Sequence, residues 1–409
     1  MRILQINTTV NSGSTGRIAE DIGKVLIANG HESYIAYGRG NQTSQSKLIK
    51  IGTQKDIIFH GLKTALLDRH GFGSKEATQN LIAQIEKIQP NAIGLHNIHG
   101  YYLNIEVLFN YLETKNIPIV WTLHDCWSFT GHCTYFDSVG CEKWKIQCEK
   151  CPKKSYYPTS YLIDNSKKNY LDKKELFNKI RNGMVITPSK WLKNLAEESF
   201  LKYPVTNIYN GIDLQVFKPQ IDVKLIKEKY QITTEKIILG VASIWDERKG
   251  LNDFIALQKI VSNSQIILVG LSEKQISQLP EGIIGIKRTE NIEELAALYA
   301  LAEVFVNPTY QDNFPTTNLE ALACGTPVIT YNTGGSPEAI DELTGKIVPK
   351  GNIQALAEAI EEVLNNGKSF YTEACRLRAE KRFNKEDRYM DYLVIFEKMV
   401  QEKLNLETK

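Results

Sequence analysis

Short apolar runs alternate with amphipathic stretches along most of this chain. Ile3-Leu4-Gln5-Ile6 opens the pattern, and Arg17 to Asn29 follows with Ile18, Ile22, Val25 and Leu26 at helical spacing and Gly30 as the stop. Ser33–Ala36, Ala92–Leu95, Ile117–Leu123 and Gly183–Thr187 read as further strands. A second series runs through Lys236–Ser243, Gln265–Gly270, Glu303–Asn307 and Pro327–Thr330, with an apolar helix expected over Leu251–Ile260. Apolar strands separated by helices are the signature of parallel α/β sheets. Two such series predict two Rossmann-like, doubly wound domains, with the polar, Lys-rich stretch 218–229 between them. The last segment, Asp387 to Lys403, reads as an amphipathic helix.

Composition adds little direction. The chain has 409 residues and a net charge of +2, so no global field argues for nucleic acid. Polar residues follow the first strand at once, so the N-terminus does not read as a signal peptide. No apolar run approaches the roughly 18 to 20 residues needed to cross a bilayer. A cytoplasmic protein is the expectation.

The most informative stretch is 307–329. It places two carboxylates, Asp312 and Glu320, on either side of a loop that enters a helix at Phe314-Pro315-Thr316-Thr317. Amides at such a helix start have no partners within the helix and suit a diphosphate. The flanking carboxylates can accept hydrogen bonds from ribose or sugar hydroxyls. Local chemistry therefore points to a nucleotide-sugar pocket.

This segment resembles the paired-acid motif of the retaining GT-B glycosyltransferases of family four: Glu, seven residues, Glu, then Ala-x-Ala-Cys-Gly-x-Pro-Val-Ile. The chain departs at the first acid, where Asp312 is one methylene shorter. The resemblance implies a GT-B fold, with two Rossmann-like domains facing across a cleft: 1–217 on the acceptor side, 218–386 for the nucleotide sugar, and 387–409 as a helix packing back on the first. It implies Glu320 on the ribose and Asp312 on the donor sugar.

Several other loops carry matching chemistry. Trp245-Asp-Glu-Arg-Lys-Gly250 sets Arg248 and Lys249 at a strand end, where a basic pair can hold a diphosphate. It resembles the family's Arg/Lys-Lys-Gly turn; the family's upstream Arg is replaced by Ala242-Ser243-Ile244, and Arg248 can substitute. Gly334-Gly335 permits close backbone approach before a helix. Asn11-Ser-Gly-Ser-Thr-Gly-Arg17 is not a dinucleotide fingerprint. It resembles the family's small-residue loop, which makes Gly13 and Gly16 candidates beside the donor phosphates and acceptor.

His96, His99 and His124 lie at the C-terminal ends of apolar runs, where a doubly wound sheet presents functional groups. His124 matches the His of the family's Thr-x-His motif, which lies against the donor sugar, whereas His96 and His99 suit the acceptor side. Transfer with retention in this fold is front-face attack, in which the leaving phosphate takes the acceptor proton. Asp125 as a base would instead imply inversion. Asn210-Gly211 is a turn signal, read as a hinge.

Five of seven cysteines fall between Cys126 and Cys151, in an insertion spanning about 126–155. Cys133, Cys141, Cys148 and Cys151 have spacings compatible with structural zinc, with His132 an alternate ligand; disulfides do not suit a reducing compartment. The insertion resembles that of the colanic-acid-type subgroup. Residues 142–181 hold eleven Lys/Arg against five Asp/Glu, interleaved with Tyr156, Tyr157, Tyr161 and Tyr170. Such a surface suits an anionic bilayer carrying lipid-linked glycans. RNA is the other reading, but no RNA-binding motif accompanies it.

Taken together, the expectation is a retaining hexosyltransferase in surface polysaccharide biosynthesis. It would use a nucleoside diphosphate sugar (UDP by family habit) as substrate and a glycan acceptor, lipid-linked. It would need no catalytic cofactor and no nucleic acid partner, and would sit at the cytoplasmic membrane face. Two other classes stay open: a UDP-sugar epimerase on the same fold, and a non-catalytic, zinc-stabilised binding module.

Overall fold

The computed structural model describes residues 1–261 and 264–407. Its strands, in chain order, are β1 (Arg2–Thr9), β2 (Glu32–Arg39), β3 (Lys47–Lys50), β4 (Ala92–Leu95), β5 (Ile119–Thr122), β6 (Gly183–Thr187), β7 (Val205–Asn207), β8 (Ile237–Val241), β9 (Gln265–Val269), β10 (Ile283–Ile286), β11 (Val304–Asn307), β12 (Val328–Tyr331) and β13 (Gly345–Val348). They form two wholly parallel sheets, ordered β3-β2-β1-β4-β5-β6-β7 and β10-β9-β8-β11-β12-β13. Both are doubly wound: the strand order reverses between β1 and β4 in one, and between β8 and β11 in the other. Ligands of such sheets bind outside the carboxyl ends of the strands at that reversal.

The chain divides into two units, Met1–Ile208 joined by the chain from Arg388 onward, and Tyr209–Asp387. The division falls at Ile208/Tyr209, whereas the Lys-rich stretch read as a boundary contributes the helix Lys224–Lys229 to the second unit. Asn210-Gly211 lies just past the division, and a Cβ at Gly211 would meet the Lys385 backbone at 2.4 Å.

Central strands bury both faces, which is why they read as continuous apolar runs: β4, β5, β11 and β12 are buried at every position. The closing helix, Lys385–Glu407, belongs to the first unit from Arg388 on. There Tyr392, Leu393, Phe396 and Met399 pack with Ile3, Ile18, Ile22 and Val120. Each such side chain contributes about 1.5–3 kcal/mol of burial. Thr408 and Lys409, the end of the 387–409 segment, lie outside the described residues. Among those described, no helix is long and apolar enough to cross a membrane.

Candidate functional site

In the second unit, three loops at the carboxyl ends of β8, β11 and β12 meet at the reversal. The Arg248 carbonyl accepts from the Tyr310 amide (2.7 Å) and the Thr309 hydroxyl (3.2 Å), which stitches the first loop to the second. Gly250 holds a left-handed φ of 74°, and a Cβ there would sit 2.4 Å from the Pro308 carbonyl oxygen. The third loop closes equally tightly: Gly334 has φ 56°, and its Cβ would fall 1.8 Å from the Asp312 carbonyl oxygen. Its glycine thus makes room for the backbone of Asp312. Gly335 begins the 3-10 turn Ser336–Ala339.

This packing sets Lys249 Nζ 2.5 Å from Asp312 Oδ2, with side chains only 21% and 17% exposed. Arg248 pairs with Asp246 of its own turn at 2.9 Å. The helix Thr316–Ala323 begins beside them; Pro315 is its N-cap and gives no side-chain cap, so amides at Thr316 and Thr317 keep their donor capacity for a ligand. Phe314 turns inward and stacks on Tyr209, with centroids 5.0 Å apart. Glu320 is buried, and the Tyr299 phenol near it is pushed up by burial and then by the Glu320 charge.

Beneath these loops runs a polar network that sequence reasoning missed. Asn307 Nδ2 donates to Asn318 Oδ1 (2.8 Å), Asn318 Nδ2 donates to Ser336 Oγ (3.0 Å), and Thr330 Oγ1 lies 2.7 Å from Ser336 Oγ. It ties β11, β12, the helix and the Gly-Gly turn together. Asp253 likewise accepts from Tyr310 (3.2 Å) and Tyr331 (2.7 Å), and burial raises its carboxyl. The available signal was a polar residue recurring in apolar strands: Asn307 closes β11, and Thr330 is the last but one residue of β12.

The first unit gathers its histidines at its own reversal point. Gln5 Nε2 donates to the Ala19 carbonyl, which turns Gln5 Oε1 toward His96 Nε2 (3.0 Å). His96 Nε2 therefore carries the proton, and His96 Nδ1 accepts from His124 Nε2 at 3.1 Å. Burial brings His124 down to about 4 and pushes His96 well below its ordinary range, so both rings are neutral near pH 7. A neutral His124 with its proton on Nε2 carries its lone pair on Nδ1. Thr8 Oγ1 clamps the loop after β4, donating to the carbonyls of Asn97 (3.0 Å) and His99 (2.6 Å). Gly16 packs under the loop after β1, where a Cβ would meet Thr9 Oγ1 at 2.7 Å; Gly13, with φ 65°, starts the helix Gly13–Ala28 with open space above its Cα.

The zinc expectation is corrected. Cys133, Cys141, Cys148 and Cys151 border one small cavity with Phe136 and Trp144. Among the described residues, however, no three His, Cys, Asp or Glu side chains gather into a group able to hold a metal ion. Two thiols influence each other instead: the Cys133 thiol brings Cys151 down to about 7, and burial pushes Cys148 to about 12. His132, the alternate ligand, is committed to Asp68 at 2.5 Å in full burial. Aromatic packing among Phe129, Phe136 and Trp144 gives the insertion its core.

The basic stretch 142–181 is also less free than its composition suggests. Lys173 is buried, donating to the carbonyls of Trp127 (2.7 Å) and Thr130 (3.1 Å), and burial brings it down to about 7. Lys145, Lys167, Lys168 and Lys179 each pair with a carboxylate.

Two family models cover most of the chain between them: Glycosyltransferase Family 4 matches residues 15–216, and Glycosyl transferases group 1 matches residues 235–366. The chain is a glycosyltransferase with the GT-B fold of group 1 and family 4. It is 24% identical over 372 residues to the putative colanic acid biosynthesis glycosyl transferase WcaC of Escherichia coli (strain K12), covering 88% of this chain and 90% of that one. Sucrose-phosphate synthase from Thermosynechococcus elongatus is similar in structure, with a TM-score of 0.74 at 18% identity over 98% of this chain and 99% of that one. Anabaena HepE in complex with UDP follows at 0.69 and 15%, covering 97% and 100%. At such identities these structures establish the fold alone.

Proposed function

We propose that this chain transfers a hexosyl group, with retention, from a UDP-sugar to a glycan acceptor, lipid-linked, in surface polysaccharide biosynthesis. The observation that carries the reading is the Lys249–Asp312 pair, placed at the sheet reversal beside the uncapped start of the helix Thr316–Ala323. Lys249 and Arg248 would take the diphosphate together with the amides of Thr316 and Thr317. Within the second unit, Asp312 would accept from a donor-sugar hydroxyl and Glu320 from a ribose hydroxyl; within the first, His124 would face a sugar hydroxyl. The bond from the anomeric carbon to the leaving phosphate oxygen breaks as the acceptor oxygen attacks the same face. The phosphate oxygen then receives the acceptor proton. UDP in the HepE complex and the name of the WcaC relative support the donor and the pathway.

The same reading puts the enzyme at a membrane face. Support comes from the helix Gln54–Leu67, whose outward side exposes Ile58, Phe59, Leu62 and Leu66 with Lys55 at its start and no exposed carboxylate. The test is a thermal-shift comparison of UDP, GDP and ADP. UDP alone should raise the melting temperature by several degrees, and Lys249→Ala should abolish the rise. Equal response to all three, or none to any, rejects the donor assignment.

A further inference from the structure

Tyr157, on the segment that follows the cysteine cluster, reaches into the histidine group of the first unit. His99 Nε2 lies 2.9 Å from Asp125 Oδ2, and Asp125 Oδ1 accepts from the Trp127 amide at 2.8 Å. Burial raises the Asp125 carboxyl, but the contacts with His99 and the hydrogen bond from the Trp127 amide outweigh it and hold Asp125 below its ordinary value. A carboxylate only accepts, so His99 carries its proton on Nε2 and offers a lone pair at Nδ1. The Tyr157 hydroxyl, 3.2 Å away, donates to that lone pair.

His70 lies next to this pair and has the opposite tautomer. Its Nε2 accepts from the Gly100 amide at 3.2 Å, and burial keeps the ring neutral, so the proton sits on Nδ1. That N–H is buried and has no partner among the described residues. Buried donors are almost always satisfied, so this one requires an explanation. The rings of His70 and His99 are neighbours, 5.7 Å apart between centroids, so an oxygen seated between them would meet a donor on one ring and an acceptor on the other. Tyr101, Trp127 and Tyr157 surround His70 at 4.7, 5.3 and 5.6 Å between centroids, so the unmet donor lies among aromatic rings.

We infer that His99 and His70 form a hydroxyl-binding subsite for a saccharide, and that Tyr157 occupies it in the free protein as an internal stand-in for the sugar. The phenol satisfies His99 but leaves the His70 donor unmet; a sugar hydroxyl satisfies both. Tyr157 is 42% exposed and lies on a segment without regular helix or strand, so its hydroxyl can give way at the cost of one hydrogen bond and part of its ring packing on His70, His99 and Tyr101. Asp125 is then a positioning residue that fixes the His99 tautomer. Identifying the sugar as the acceptor rests on the transferase reading above; the binding itself does not.

The experiment is saturation-transfer NMR on the full chain without nucleotide, titrated with methyl glycosides of glucose, galactose, mannose and fucose. Tyr157→Phe keeps the ring and removes the competing hydroxyl. It should bind the preferred glycoside about three- to tenfold more tightly than the parent, the worth of one neutral hydrogen bond. His99→Gln should weaken it about tenfold. Binding no tighter in Tyr157→Phe, or no binding of any glycoside by either form, overturns the subsite. A parallel UDP thermal shift separates the two ideas: glycoside binding without a UDP response keeps the subsite and sinks the transferase reading, and the reverse result does the opposite.

Discussion

Replacing Asp312 by Asn should tighten the binding of UDP, because in the free protein Asp312 competes for the ammonium that a diphosphate needs. Lys249 Nζ and Asp312 Oδ2 are 2.5 Å apart, with about four-fifths of each side chain buried. Fully exposed pairs are worth about 0.2–1 kcal/mol, and hydrogen bonds to charged groups about 1.5–3 kcal/mol. This pair falls near the lower end of the second range. Asn keeps a carbonyl oxygen that still accepts from Lys249, so the net release is about 1–1.5 kcal/mol, or roughly a five- to tenfold lower Kd. Isothermal titration with UDP reads this directly. The gain should shrink as salt rises, since the 17–21% exposure leaves the pair partly screened. Sugar transfer should fall at the same time, because the carboxylate that accepts from the donor sugar has gone. If Asp312→Asn binds UDP no better than the parent while its unfolding midpoint is unchanged, Lys249 does not hold the diphosphate and the argument fails.

Other outcomes follow from the packing. Gly334→Ala should destabilise by at least about 2 kcal/mol in urea unfolding, since a left-handed φ costs an L-residue about 1–2 kcal/mol and the new Cβ must also push Asp312 aside; a neutral result would mean the turn is not packed as described. Asp68→Asn should cost about 3–5 kcal/mol by leaving His132 buried without its charge partner. Burial lowers His132, but the Asp68 hydrogen bond and charge raise it further, so its pKa in the folded chain lies above 6.5. Its contribution is full below pH 6.5 and is lost as pH rises through the folded value; Asp68→Asn should remove that falling limb from a plot of unfolding midpoint against pH. Phe59→Ser combined with Leu62→Ser should reduce sedimentation with vesicles containing anionic phospholipid by tenfold or more, given about 1.5–3 kcal/mol per apolar side chain buried. Unchanged sedimentation would remove this helix as the membrane contact.

How much of this was legible before folding depended on how buried each element is. The nine central strands read as apolar runs because helices cover both faces of a parallel sheet. The four strands left unread are β3, β7, β10 and β13, and these are the four edges of the two sheets. An edge is short and half exposed, as in Lys47-Leu-Ile-Lys50, whose pattern carries no apolar period. The cysteines show the opposite failure. Their spacing suggested a metal because spacing along a chain is silent about direction, whereas the folded insertion buries Cys133 and Cys148 and pairs His132 with Asp68.

The sequence by itself determined the alternation of strand and helix, and with it the class of fold and the loops that must reach the sheet reversal. Glycines at 250 and 334 and the acids at 312 and 320 were visible there as residue types. Only the tertiary structure decided what each one touches. It put the backbone of Asp312 against Gly334, closed Lys249 onto Asp312, turned Phe314 into the core, and set the tautomers of His96, His124, His99 and His70 by the partners beyond them. The reason is physical: burial and helical period act over neighbouring residues and leave a mark on sequence. Hydrogen-bond direction and ion pairing join residues as far apart as His99 and Tyr157, and exist only once packing brings them within about 3 Å.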